Sequence, residues 1–112
     1  MDVSSRLAYL ERLAAAPSAD SFALYALALE YRKNRRFEEA LSTFERLCDR
    51  DPAYVPMYLM AGQTLVEIDR PDQASQWLTR GVEAARAAGD GKALAELSSL
   101  LESLGRPTCQ ED

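Results

Sequence analysis

Few side chains in this chain could do chemistry, and their spacing argues against most of it. There is no histidine, which removes the commonest general base and the commonest transition-metal ligand. Cys48 and Cys109 are too distant in sequence to form a zinc-binding pair and too few for a disulfide scaffold. Cys48 falls on the apolar face of an expected helix and reads as a buried small hydrophobe. Cys109 belongs to the polar tail and is expected to be exposed, with nothing nearby to lower its pKa. Gly91-Lys92 lacks the rest of a phosphate loop: Arg86 stands where the first Gly belongs, and Ala93 where a Ser or Thr would hold magnesium. Carboxylates are plentiful, but they lie on helix faces and in turns without a pairing signal. The residues therefore predict a non-catalytic protein, with no metal and no cofactor.

One basic cluster stands out: Arg32, Lys33, Arg35 and Arg36. It could contact phosphate or an acidic peptide. With Glu30, Glu38 and Glu39 close by, it reads instead as a solvated turn between helices. The net charge of −5, from 18 acidic against 13 basic residues, gives no pull toward nucleic acid or anionic lipid. No apolar run approaches the roughly 20 residues of a membrane span. The start, Met-Asp-Val-Ser-Ser-Arg-Leu, lacks a basic stretch followed by an apolar one, so a cytoplasmic protein is expected.

The elements that would position these residues are all helical. A length of 112 residues suits one domain. Ala and Leu dominate the apolar set, and β-branched runs are missing. Val3 to Ala16 reads as a helix with Val3, Leu7, Leu10, Leu13 and Ala14 on one face. Asp20 or Ser21 can cap a second helix running to about Lys33. Asn34-Arg35-Arg36 makes a tight link, with Asn34 as the residue that tolerates the left-handed conformation. Phe37 to about Asp49 is strongly amphipathic, with Phe37, Ala40, Leu41, Phe44, Leu47 and Cys48 on one stripe. Pro56 opens a fourth helix to about Ile68, and Pro71 a fifth to Ala88. Asp90 can cap a last helix with Leu94, Leu97, Leu101 and Leu104 along one side. Residues 105–112 are expected to be disordered. The fold class is all-α, six helices joined by short turns, with consecutive helices antiparallel.

A shift of 34 residues superimposes the two middle helix pairs by side-chain size. Leu24, Leu27, Ala28 and Tyr31 meet Tyr58, Ala61, Gly62 and Leu65. Ala40, Phe44 and Leu47 then meet Ala74, Leu78 and Gly81. Helices cross closely only where one side chain is small, and Ala28 with Ala40, then Gly62 with Ala74, are expected to supply the small residues. Arg86 stands where a proline would end the second copy, so its second helix should run longer.

This pattern resembles the tetratricopeptide repeat (TPR). Leu24-x2-Leu27-Ala28-x2-Tyr31-x8-Ala40-x3-Phe44-x2-Leu47-x4-Pro52 fills every slot of that motif. The resemblance implies a right-handed solenoid of antiparallel helix pairs. Its divisions would be a capping helix at 3–16, repeats at 21–54 and 55–88, and a capping helix at 90–104. Counting back one repeat puts Leu10 and Leu13 at the positions of Phe44 and Leu47, so the first helix is an orphan second helix. The last stands as a first helix.

The resemblance also implies that a concave face, lined by the first helix of each pair, binds a peptide or partner helix. By position that face carries Phe22, Tyr25, Leu29 and Lys33, then Leu59, Gln63, Val66 and Glu67. Relatives that grip a C-terminal carboxylate use Lys and Asn there. Tyr25 and Leu29 fill the first repeat's slots and Met60 the second repeat's Asn slot, so that clamp is absent. The last helix, through Leu97, Leu100 and Leu101, either covers part of the strip or leaves it open. The expected partner is thus a protein or peptide. The alternative is a self-associating subunit, a homodimer through the concave strip or an end cap.

Overall fold

A computed structural model describes residues 3–105 of the chain. They form six α-helices: α1 (Val3–Ala15), α2 (Ser21–Lys33), α3 (Phe37–Arg50), α4 (Pro56–Glu67), α5 (Pro71–Ala88) and α6 (Gly91–Gly105). No strand occurs among the described residues. Helix ends fall within a residue or two of those expected. The tail with Cys109 lies outside the described residues.

The chain divides into two compact units, Met1–Pro52 and Ala53–Asp112. In the first, α2 packs on α3 and, less extensively, on α1. Leu24, Leu27, Ala28, Ala40, Phe44, Leu47 and Cys48 are all buried there. A fully buried Leu or Phe contributes roughly 1.5–3 kcal/mol of transfer free energy. In the second unit, α5 packs on both α4 and α6, and α6 also touches α4. Helix α5 is longer than α3, 18 residues against 14, as the missing proline predicts.

Two glycines of the second unit admit large neighbours. A Cβ on Gly62 would lie 2.5 Å from Leu78 Cδ2, so this glycine makes room for a leucine. Gly81 admits two neighbours at once, since a Cβ there would lie 2.5 Å from Tyr58 Cβ and 2.9 Å from Leu97 Cδ2. Helices α4, α5 and α6 meet at that glycine.

The α1 face also differs from the expected stripe. Leu7 and Ala14 are buried, Leu10 is only half-buried, and Leu13 is 42% exposed. Helix α1 packs on α2 alone, so the Leu10–Leu13 edge of its apolar stripe has no helix against it among the described residues.

The turns repeat as the sequence does, with one change of residue. Arg35 and Asp69, 34 apart, both take φ 62°, whereas Asn34 has φ −90°. Asn34 instead bonds through its side chain, its Nδ2 donating to the Glu30 carbonyl at 2.8 Å. The Arg36 N–H then donates to the Tyr31 carbonyl at 2.9 Å, and the Arg70 N–H to the Leu65 carbonyl at 2.8 Å. These are Schellman closures, which require the left-handed residue just before the donor. Gly89, with φ 70°, closes α5 in the same way.

Candidate functional site

Each candidate binding residue sits on the first helix of a pair, and each is described within its own unit. On α2, Phe22 is 66% exposed, Tyr25 and Leu29 are half-buried, and Lys33 is exposed. The helix is fixed from its start, where Asp20 Oδ1 accepts the Ala23 N–H at 2.9 Å. Ser21 does not cap; its hydroxyl donates to Asp51 Oδ2 at 2.6 Å, tying the start of α2 to the end of α3. On α4, Leu59 and Gln63 are half-buried, and Val66 and Glu67 are exposed. Pro56 at its first turn supplies a fixed φ and lacks only an N–H that would be unpaired there.

Leu59 and Gln63 border an open groove of about 530 Å³ in the second unit. Its opposite wall is α6, through Ala95, Glu96, Ser99, Leu100 and Ser103. Leu97 points away from the groove and is completely buried beside Gly81. The last helix therefore borders the Leu59 strip without covering it. The α6 wall is largely small residues, and the Ala95, Ser99, Ser103 spacing of four was the sequence signal for it.

A second groove, of about 420 Å³, lies in the first unit. Leu10 and Leu13 of α1 form one side and Phe22, Ala23 and Ala26 of α2 the other, with Arg12 and Asp20 at its margin. Of the α2 candidates, only Phe22 reaches it. Tyr25, Leu29 and Lys33 do not line it.

The basic cluster is tied to neighbouring side chains. Arg36 makes a two-pronged contact with Glu39, Nε to Oε1 and Nη2 to Oε2 both at 2.7 Å. That hydrogen-bonded pair holds the Glu39 carboxyl below its usual value and raises the Arg36 guanidinium. Arg36 also stacks over the Tyr31 ring at 5.0 Å, and Arg35 over Phe37 at 5.2 Å. Glu30 does not balance this cluster from solvent, as its sequence position suggested. It is buried, 3.6 Å from Arg6 of α1, and accepts from Asn34 Nδ2 at 3.2 Å.

Tyr31, also buried, donates its hydroxyl to Glu11 Oε2 at 2.5 Å. Burial first, and then that hydrogen bond, push its phenol up to about 12. Arg46 and Arg50 reach back to the carbonyls of Ala14 and Ala19. These links fasten α1 to the first pair; composition alone gives no sign of them. Among the described residues, no group of His, Cys, Asp and Glu is placed to hold a metal ion, and no helix is long and apolar enough to cross a membrane.

Comparison with known proteins agrees with this architecture. The family model described as Tetratricopeptide repeat matches residues 31–101. A tetratricopeptide repeat domain protein from Salinibacter ruber, solved by NMR, is 37% identical with a TM-score of 0.74, over 80% of this chain and 90% of that one. A protein from Bordetella parapertussis is 24% identical with a TM-score of 0.79, over 99% and 94%. PcrH from Pseudomonas aeruginosa shares the fold at 15% identity and a TM-score of 0.82, over 92% and 79%. No curated protein matches the sequence. With one fully spelled helix pair and a second in the same register, the recurring turn at Arg35 and Asp69, and a family match over more than half its length, the chain belongs to the tetratricopeptide repeat family.

Proposed function

We propose that this protein is a non-catalytic interaction module that binds a peptide or partner helix on the first helix of a pair, α4 in the second unit and, by the same register, α2 in the first. The observation that carries the reading is the open groove beside Leu59 and Gln63, walled by α6 and left unfilled. An apolar pair, Leu59 and Leu100, flanked by short polar side chains suits a segment that buries one or two aliphatic residues and hydrogen-bonds around them. The family supports the general role, since its members are typically protein-interaction modules rather than enzymes. The same fold in PcrH was solved in complex with the chaperone binding region of PopD. Tyr25 and Leu29 are the corresponding candidates on α2, with Phe22, Lys33, Val66 and Glu67 as the margin.

The test is capture. The wild-type chain, immobilised, should retain a partner identifiable by mass spectrometry, and a Leu29→Glu, Leu59→Glu double variant should lose it. Circular dichroism should show unchanged helicity, because both positions are partly exposed. Retention of the same partner by the folded double variant would remove α2 and α4 as the binding helices.

A further inference from the structure

Helix α6 repeats the first-helix motif, in a register that matches α2 down to its cap. A shift of 70 residues carries Leu24, Leu27, Ala28 and Tyr31 onto Leu94, Leu97, Ser98 and Leu101. The caps obey the same shift: Asp20 accepts from the Ala23 N–H, and Asp90 accepts from the Ala93 N–H at 3.1 Å. In α2 the positions Leu24, Ala28 and Tyr31 are sealed, at 1%, 0% and 8% exposure, with α3 packed on that helix. In α6 their counterparts are open, with Leu94 and Leu101 half-buried and Ser98 exposed.

Helix α1 shows the converse. A shift of 34 carries Leu10 and Leu13 onto Phe44 and Leu47 of α3, both completely buried. On α1 the same edge is half-buried at Leu10, open at Leu13, and borders the groove floored by Ala23 and Ala26. Among the described residues, the α6 edge has no second helix against it and the α1 edge no first.

We propose that copies of this chain associate end to end, with α6 of one copy docking on α1 of the next to rebuild the α2–α3 pairing. The groove beside Leu10, Leu13, Ala23 and Ala26 is then the seat of a first-type helix, and the open Leu94, Ser98, Leu101 edge is what enters it. Charge favours the match. Helix α1 carries Arg6 and Arg12, while its single acid, Glu11, is taken by Tyr31. Helix α6 carries Glu96 and Glu102 against Lys92. An antiparallel pairing brings Arg6 to the end of α6 that holds Glu102.

Arg6 stands where Ala40 and Ala74 stand in the complete pairs, so the new crossing is wider than theirs. It is already drawn toward Glu30. A contact of one helix on one groove is small, so a dissociation constant of about 0.1–1 mM is expected. Unlike a two-fold dimer, this contact joins different surfaces and leaves a free edge on each copy. This inference goes beyond the interaction reading and does not depend on it.

Light scattering on two exposed-site variants of the full chain tests it. Wild type should gain mass with concentration and not stop at the dimer. Leu13→Glu blocks the groove edge and Ser98→Arg blocks the α6 edge, so each should be monomeric alone. Mixed together, they should form a heterodimer, because each retains the surface that the other has lost. Circular dichroism should show both variants folded. A wild-type chain that stays monomeric at millimolar concentration overturns the proposal. So does a Ser98→Arg variant that still dimerises alone, which would mean a symmetric contact between α1 ends, or a mixture that stays monomeric.

Discussion

Tyr31 sets a phenol among charged groups, with the Glu11 carboxylate at its hydroxyl and the Arg36 guanidinium over its ring. Such a hydrogen bond contributes about 0.5–1.5 kcal/mol net, so Tyr31→Phe should cost on the order of 1 kcal/mol at neutral pH. The pH dependence has a definite sign. The folded phenol is pushed up to about 12 from 10.0, so between those values the folded protein keeps a proton that the unfolded chain has released. This contribution is full below pH 10 and is lost as pH rises through the folded value. Urea unfolding of wild type and Tyr31→Phe should therefore show a stability gap at about pH 9 that closes toward about pH 12. A gap of constant size across that range would mean that the phenol does not titrate with the fold.

At the scale of helices, two glycines make the second unit's packing possible, and they are not equivalent. A methyl at Gly81 meets the Cβ of Tyr58, which cannot move without its helix, and Leu97 as well. A methyl at Gly62 meets only the end of the Leu78 side chain, which can rotate. Gly81→Ala should cost about 1–3 kcal/mol by overpacking, despite a helix-propensity gain of up to about 1 kcal/mol. Gly62→Ala should cost less. Thermal melts in which Gly81→Ala matches or exceeds wild type would show that the three helices are not this close.

The helices and their pairing were legible because size classes repeat: Leu24 to Tyr31 and Ala40 to Leu47 each state which face is apolar and where a neighbour crosses. The turn residue was misread for a physical reason. Asn is the better left-handed residue in general, but here Asn34 serves the Glu30 carbonyl with its side chain and leaves φ 62° to Arg35. Leu13 was misread for another. Periodicity marks an apolar edge without saying whether anything covers it. The groove wall on α6 was only half legible, since Leu97 and Leu100 share a run but one turns to Gly81 and the other to Leu59.

At the scale of the molecule, several polar side chains among the described residues serve construction. Arg46 and Arg50 close a turn, Glu30 and Glu11 hold α1, and Asp20 and Asp90 start helices. The two grooves are lined mostly by apolar and small side chains, one between α1 and α2 and the other between α4 and α6. That division favours recognition over catalysis. The most direct measurement is amide hydrogen exchange on the chain with and without its captured partner. Binding through the first helices predicts new protection on α2 and α4, strongest around Tyr25 to Leu29 and Leu59 to Gln63, with α3 and α5 little changed. Protection confined to α3 and α5 would contradict it.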